Sequence, residues 1–518
     1  MPRPRSRTTR SHPFPCSWRR AMRIWGITSN SSIPLDQGSG PVCFPFMRPS
    51  SFLPRIGFAS SLLVCALSLA QVPDPDGRAT PAQRAAAGIG APVQPLPAAS
   101  TLRPRAQQTR LAAWRAEIRR QLFVPDHLPA LEARTWSTFS PIAGVLADRV
   151  TYATADGMIV PAIVYRPDPR LLKPHTKLPG LVIVNGHGSD KFGWYAFYSG
   201  MLFARMGAVV VTYDPIGEGE RSAVKASRTG EHDAWVSPPA GLARTDWGQR
   251  LAGLMQVDAM QAVSYLLTQP EVDPQRVAVA GYSMGGFITG ILGAIDPRIH
   301  ATLVSGGGDY DGLGGYFDSN PLPCQTSPYK ALLPLGDRGA VLYALNAERG
   351  PMFVMNGNAD TVMDMAHHPQ AWFDEVQNRA LALVGPGSSA AKNMFTTVRY
   401  PGISHRTSWV DRKGVVWLDR QLHFPLTTPE RIATEPTTHI AEWSTANHVF
   451  LSTEFIVEER EGGLNAVGTG LPGIPREDLM ALPDADWQSM KDRLIYAAWA
   501  EKTRAAEGQA AASLPSKP

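Results

Sequence analysis

Three residues of this chain could carry covalent chemistry together: a serine between glycines, an acid and a histidine, in that order. The serine is Ser283 in Gly281-Tyr282-Ser283-Met284-Gly285-Gly286. The spacing G-x-S-x-G has a physical basis. A turn tight enough to expose the hydroxyl leaves no room for side chains two positions to either side. A serine hydroxyl is a weak nucleophile at neutral pH and needs a base, and the base needs an orienting acid. Met352-Phe353-Val354-Met355-Asn356-Gly357-Asn358-Ala359-Asp360 places an acid just past an apolar run, and Tyr400-Pro401-Gly402-Ile403-Ser404-His405 does the same with a histidine. Ser283 is therefore the candidate nucleophile, Asp360 the orienting acid and His405 the base. Asp364 rivals Asp360. His367 and His368 rival His405, although that pair also reads as a solvated helix start.

The oxyanion of such a reaction needs two preorganised N–H donors. One is expected from the backbone of Met284, directly after the nucleophile. The second is expected from Ser189, in the loop Val184-Asn185-Gly186-His187-Gly188-Ser189. Lys191, Phe192 and Trp194 follow, as pocket wall or as core. Asp214, in Tyr213-Asp214-Pro215-Ile216-Gly217-Glu218-Gly219, reads as structural, bonding its own turn. Asp309-Tyr310-Asp311-Gly312 lacks the later ligands of a calcium loop. There is no zinc-spaced His/Cys cluster, Walker loop or dinucleotide loop, so no metal and no cofactor is expected.

Short apolar runs alternate with helix-length amphipathic ones, as elements that could hold these residues should. Expected strands are Arg149–Thr154 and Met158–Tyr165 as a hairpin, then Leu181–Asn185, Ala208–Tyr213, Arg276–Ala280, Ala301–Val304, Met352–Met355 and Phe395–Tyr400. Expected helices are 106–122, Trp194–Met206, Trp247–Leu267, Met284–Ile295, Pro369–Arg379 and Val415–Leu422. The pattern predicts an α/β fold, a mainly parallel sheet with helices on both faces. Residues 305–350 interrupt it and are expected to form an inserted cap, with Tyr310, Tyr316, Phe317 and Tyr329 walling a pocket.

Together these residues resemble the α/β-hydrolase family over about residues 140–425. The parts that carry the resemblance are Asn185–Lys191, Asp214–Gly219, Gly281–Gly286, Gly357–Asp360 and Gly402–His405. The segment Val272-Asp273-Pro274-Gln275-Arg276 narrows it to exported esterases grouped with dienelactone hydrolase and acetyl xylan esterase. The resemblance implies the α/β-hydrolase fold and a serine esterase acting through Ser283, Asp360 and His405. Dienelactone hydrolases proper have Cys where this chain has Ser283. The implied partners are small-molecule or carbohydrate esters. The alternatives are a serine peptidase of the prolyl-oligopeptidase type and a non-catalytic binding protein of the same fold. About 70 residues between leader and core are too few for a β-propeller of the kind such peptidases carry.

Charge and leader complete the reading. Residues 1–70 hold nine Arg and one acid, whereas the other 448 residues carry 41 basic and 44 acidic groups, so a nucleic-acid partner is not expected. Arg48 and Arg55, the apolar run Ile56–Leu67 and the site Ser68-Leu69-Ala70 read as a signal peptide over 47–70, implying an exported, periplasmic or extracellular protein. No apolar run reaches the ~18 residues of a stable membrane span. Residues 71–105 read as a linker, 106–425 as the catalytic domain and 426–518 as an extension, with Val449–Val457 as a strand pair or an edge and Asp484–Arg504 as an amphipathic helix. Three of the four cysteines lie in the leader. Cys324 is left alone and cannot form an intramolecular disulfide.

Overall fold

The computed structural model describes residues 104–227, 231–232, 247–310, 323–403, 405, 409–435 and 471–499, with 501, 502 and 505. The leader, most of the linker, Tyr316, Phe317 and Val449–Val457 lie outside the described residues. The strands are β1 (Arg134–Ile142), β2 (Val145–Ala153), β3 (Ile159–Pro167), β4 (Leu178–Val184), β5 (Val209–Tyr213), β6 (Val272–Tyr282), β7 (Ala301–Ser305), β8 (Met352–Gly357) and β9 (Thr396–Tyr400). They form one sheet in the order β1-β2-β3-β5-β4-β6-β7-β8-β9. From β5 to β9 all neighbours are parallel, and β1, β2 and β3 add an antiparallel flank.

The helices are α1 (Pro104–Gln121), α2 (Trp194–Met206), α3 (Trp247–Thr268), α4 (Met284–Ile295), α5 (Pro323–Ala331), α6 (Arg338–Arg349), α7 (Gln370–Val384), α8 (Arg412–Leu422), α9 (Pro429–Thr434), α10 (Asp484–Ser489) and α11 (Lys491–Leu494). Every residue of β4 is buried. Val182 and Val184 face the core shared with α1, α3, α4, α6 and α7. Leu181 and Ile183 face the core shared with α2 and α8. Burial on both faces explains why these strands read as unbroken apolar runs rather than alternating ones.

The strand order has a consequence for the site. The chain leaves β4 for β5 on one side and returns to β6 on the other, so the order reverses at β4. Such a reversal opens a crevice at the carboxyl ends of the strands. Register brings those ends level: Val184 lies beside Gly281, Tyr282 beside Ser305, Ser305 beside Met355 and Gly357 beside Tyr400. The loops carrying Asn185–Ser189, Ser283, Gly306–Asp309, Asn358–Asp360 and Pro401–His405 therefore leave the sheet in one row.

Three expectations are corrected. Residues 323–350 of the expected cap are α5 and α6. Asp337 caps α6 by accepting from the Ala340 N–H at 3.2 Å, and ten of its twelve residues are buried. This is the crossover helix between β7 and β8. Tyr310 and Tyr329 are fully buried in the core, and the Tyr310 hydroxyl donates to the carbonyls of Gly286 (2.8 Å) and Phe287 (3.0 Å). β1 went unrecognised because it is an exposed edge strand rich in Thr and Ser, with no apolar alternation. Asp484–Arg504 is not one helix: α10 ends at Ser489 and α11 spans four residues. Leu494, Ile495 and Tyr496 are buried in succession, which a single amphipathic stripe cannot provide.

Candidate active site

The glycines of the elbow are required by contact. A Cβ on Gly281 would stand 2.1 Å from the Gly285 carbonyl oxygen, and one on Gly285 would stand 2.1 Å from that of Val184. Between them Ser283 has φ 56° and ψ −117°, a strained conformation for a residue with a side chain. It is held there from both directions. The Ser283 N–H donates to Ser305 O at 2.9 Å, and the Phe287 N–H donates to Ser283 O at 3.0 Å. All of α4 is buried, whereas Ser283 itself is partly exposed.

His405 and Asp360 meet. His405 Nδ1 lies 2.7 Å from Asp360 Oδ2, with both residues buried. Asp360 is oriented by its own loop: Oδ1 accepts the N–H groups of Val362 (2.9 Å) and Met363 (3.0 Å). His405 lies against the elbow, its ring 5.1 Å from that of Tyr282, whose hydroxyl donates to the His405 carbonyl. Gly306 is bare where a Cβ would come 2.9 Å from His405 Cε1.

The rival residues are engaged elsewhere. Asp364 pairs at 2.7 Å with His367, and both are about half exposed. His368 is buried, with Nδ1 2.7 Å from the Asp364 carbonyl and its ring edge-on to Trp372.

The loop after β4 also faces the elbow. A Cβ on Gly186 would stand 2.9 Å from the Tyr282 carbonyl oxygen and 3.2 Å from Ser283 Cβ. The Gly186 N–H donates to the Tyr195 hydroxyl at 3.0 Å. Ser189 departs from expectation, because its N–H closes a turn on Gly186 O at 3.1 Å and so already has an acceptor. Met284 is the first residue of α4, and an N–H in that position has no partner within its helix. Phe192 and Lys191 are fully buried, with Phe192 part of the core. The Trp194 side chain lies outside the described residues. His187, partly exposed, stands edge-on to His232 at 4.9 Å between ring centres.

Of a buried charge cluster behind this loop, sequence reasoning singled out Asp214 but passed over Glu220, Arg221 and Asp258. Asp214, Glu220, Arg221 and Asp258 are all buried, with Arg221 paired to Asp258. The signal was Glu218, Glu220 and Arg221 crowded just past a fully apolar strand. Among the described residues no group of three or more His, Cys, Asp or Glu could hold a metal ion. Among them too, no helix is long and apolar enough to cross a membrane.

Two family models match the chain. That of the acetyl xylan esterases (AXE1) covers residues 134–306, and that of the prolyl oligopeptidase family covers 242–428. The chain is 25% identical over 270 residues to the uncharacterized peptidase YuxL of Bacillus subtilis (strain 168), and 24% identical over 154 residues to the thiohydrolase apmlB of Arthrinium phaeospermum. These alignments take in 51% and 30% of this chain but only 36% and 41% of those proteins. Among solved structures, Methylesterase BT1017 superposes with a TM-score of 0.50 at 19% identity, covering 81% of this chain and 76% of that one. The two family matches overlap on the stretch that carries the serine elbow, and both describe serine hydrolases of one architecture. The chain has the α/β-hydrolase fold, and the families it matches are one of esterases and one of peptidases.

Proposed function

We propose that the chain is an exported serine hydrolase that cleaves carboxylic esters, acetylated carbohydrates among them, through an acyl-enzyme on Ser283. The observation that carries this reading is the buried 2.7 Å hydrogen bond between His405 and Asp360, beside a serine held at φ 56°. With Nδ1–H donating to Asp360, the basic nitrogen of His405 is Nε2. It takes the Ser283 proton as Oγ attacks the ester carbonyl, then gives that proton to the departing alcohol. Water deprotonated by the same nitrogen attacks the acyl-enzyme and releases the acid. The transient oxyanion is met by the Met284 N–H at the head of α4 and by the backbone of the loop after β4. The acetyl xylan esterase match supports the ester class. The leader over 47–70 supports export, which predicts a mature N-terminus near Gln71, readable by N-terminal sequencing.

The prolyl oligopeptidase match and the peptidase relative favour a second reading, peptide-bond cleavage by the same residues. A panel of 4-nitrophenyl acetate, acetylated sugars, aryl esters, polyesters and aminoacyl anilides separates the two. Ester turnover that disappears in Ser283→Ala, with anilides untouched, is the expected result. Ester turnover that survives in Ser283→Ala removes the nucleophile assignment.

A further inference from the structure

The loop that faces Ser283 ends in two consecutive charged residues, and both are anchored by side chains that the reaction does not use. Lys191, Asp214 and Glu220 are fully buried. Lys191 Nζ pairs with Asp214, and with Glu220 Oε2 at 2.7 Å. The Lys191 N–H donates to Asp214 Oδ1 (3.2 Å), and Asp214 Oδ2 accepts the Glu220 N–H (2.8 Å). Gly219 turns the chain at φ 56°, where a Cβ would come 2.5 Å from the Asp214 carboxylate.

The Glu220 carboxylate is completed from the far end of the chain. The N–H of Ala481 donates to Oε2 (2.7 Å) and that of Leu482 to Oε1 (3.0 Å), while Trp487 Nε1 donates to the Glu220 carbonyl (2.8 Å). The residue before Lys191 is held in a similar way. Asp190 Oδ1 accepts the Phe192 N–H (2.9 Å), and Oδ2 lies 3.3 Å from Arg476 Nη2. The same Arg476 nitrogen donates to Lys225 O (2.9 Å), and the guanidinium lies 3.9 Å over the Phe192 ring.

Buried ion pairs are poor sources of net stability, because desolvation consumes most of their attraction. Their best-attested use is to fix one arrangement against others. Here the arrangement fixed is that of residues 190 and 191, which end the loop beside the nucleophile. Resting on the serine-esterase reading, we propose that Glu220 and Arg476 are positioning residues, through which residues 471–499 set the place of the Gly186–Ser189 backbone relative to Ser283. A loop shifted by less than 1 Å still admits an ester but meets the developing oxyanion poorly, so the cost falls on turnover rather than on binding.

The test compares the full-length wild type with Ser283→Ala, Glu220→Gln and Arg476→Gln on 4-nitrophenyl acetate. The readouts are kcat per titrated active site, KM, and the inhibition constant of phenylboronic acid, which becomes tetrahedral and anionic on a serine. Glu220→Gln is expected to lower kcat about 10- to 100-fold and to weaken the boronate by a similar factor, with KM within about twofold. Arg476→Gln is expected to show the same pattern at about 3- to 10-fold. Its side chain is 26% exposed, so this variant keeps the test open if Glu220→Gln does not fold. Wild-type kcat per site in the folded variants overturns the inference, as does a loss confined to KM with the boronate unaffected. A wild type without esterase activity, or an active Ser283→Ala, overturns the esterase reading and this inference with it.

Discussion

Replacing Asp360 by Asn changes one atom and tests the orienting acid directly. Three hydrogen bonds converge on the Asp360 carboxylate: two backbone N–H groups on Oδ1 and the His405 ring on Oδ2. Asn keeps the first two, because its carbonyl oxygen accepts both, and so presents its NH2 to His405 Nδ1. That nitrogen must then become an acceptor, and the ring proton moves to Nε2, the atom that takes the proton from Ser283 in the proposed mechanism. The base is left in the wrong tautomer within an unchanged frame. The expected loss in kcat is roughly 10⁴-fold, equivalent to about 5.4 kcal/mol of transition-state stabilisation. Stability is expected to fall far less, by about 1–3 kcal/mol, because one charge-assisted hydrogen bond is weakened and none of the backbone donors is orphaned. Stopped-flow and steady-state ester hydrolysis, with thermal melting of the same samples, would show the split. A kcat within tenfold of wild type in a folded Asp360→Asn would refute the assignment. So would a full rescue of the lost activity by Asp364 alone.

Gly285→Ala should destabilise the fold by about 3 kcal/mol or more, because its Cβ must displace the Val184 carbonyl from 2.1 Å. Thermal melting would register this, and an unchanged Tm would refute the packing argument. Tyr310→Phe should cost about 1 kcal/mol through the hydrogen bonds to Gly286 and Phe287, without altering preference among esters. A changed preference would return this residue to the pocket wall. Burial, reinforced by Asp214 and opposed by Arg476, Ser227 and Lys191, raises the Asp190 carboxyl to about 6. The folded protein therefore holds that proton between the ordinary Asp range near 4 and pH 6 while the unfolded chain releases it, and stability is lost as pH rises through this window. Asp190→Asn should accordingly be more favourable to Tm, relative to wild type, at pH 8 than at pH 4. An equal difference at both pH values would refute the shift.

What the sequence made legible were features that force local choices. The G-x-S-x-G turn admits no side chains at Gly281 and Gly285. Strands such as β4 and β5 are apolar throughout because helices cover both their faces. The loop ends carrying Asp360 and His405 follow directly from those strands. What stayed hidden depends on partners distant in the chain. β1 earns no apolar signature as an exposed edge. In α6 the run Ala340–Leu345 is apolar, but the Gly-rich stretch before it dominated the reading. The Ser189 N–H was a reasonable donor by position, and only the turn back to Gly186 O shows where it points. Arg476 and Glu220 look like ordinary surface charges until residues 190 and 220 are seen beside residues 476 to 482.

The 261-residue separation of Glu220 and Ala481 also bears on the order in which the molecule folds. Until residues 481 and 482 are in place the sheet from β4 to β9 can be completed, yet the Glu220 carboxylate lacks two of the backbone donors that make its burial tolerable. Even paired with Lys191, a buried carboxylate short of two of its hydrogen-bond donors is costly enough to loosen its surroundings. The loops around Lys191 and Asp214 therefore set last, when the end of the chain arrives. The sheet of this protein can therefore be complete before its reaction centre is.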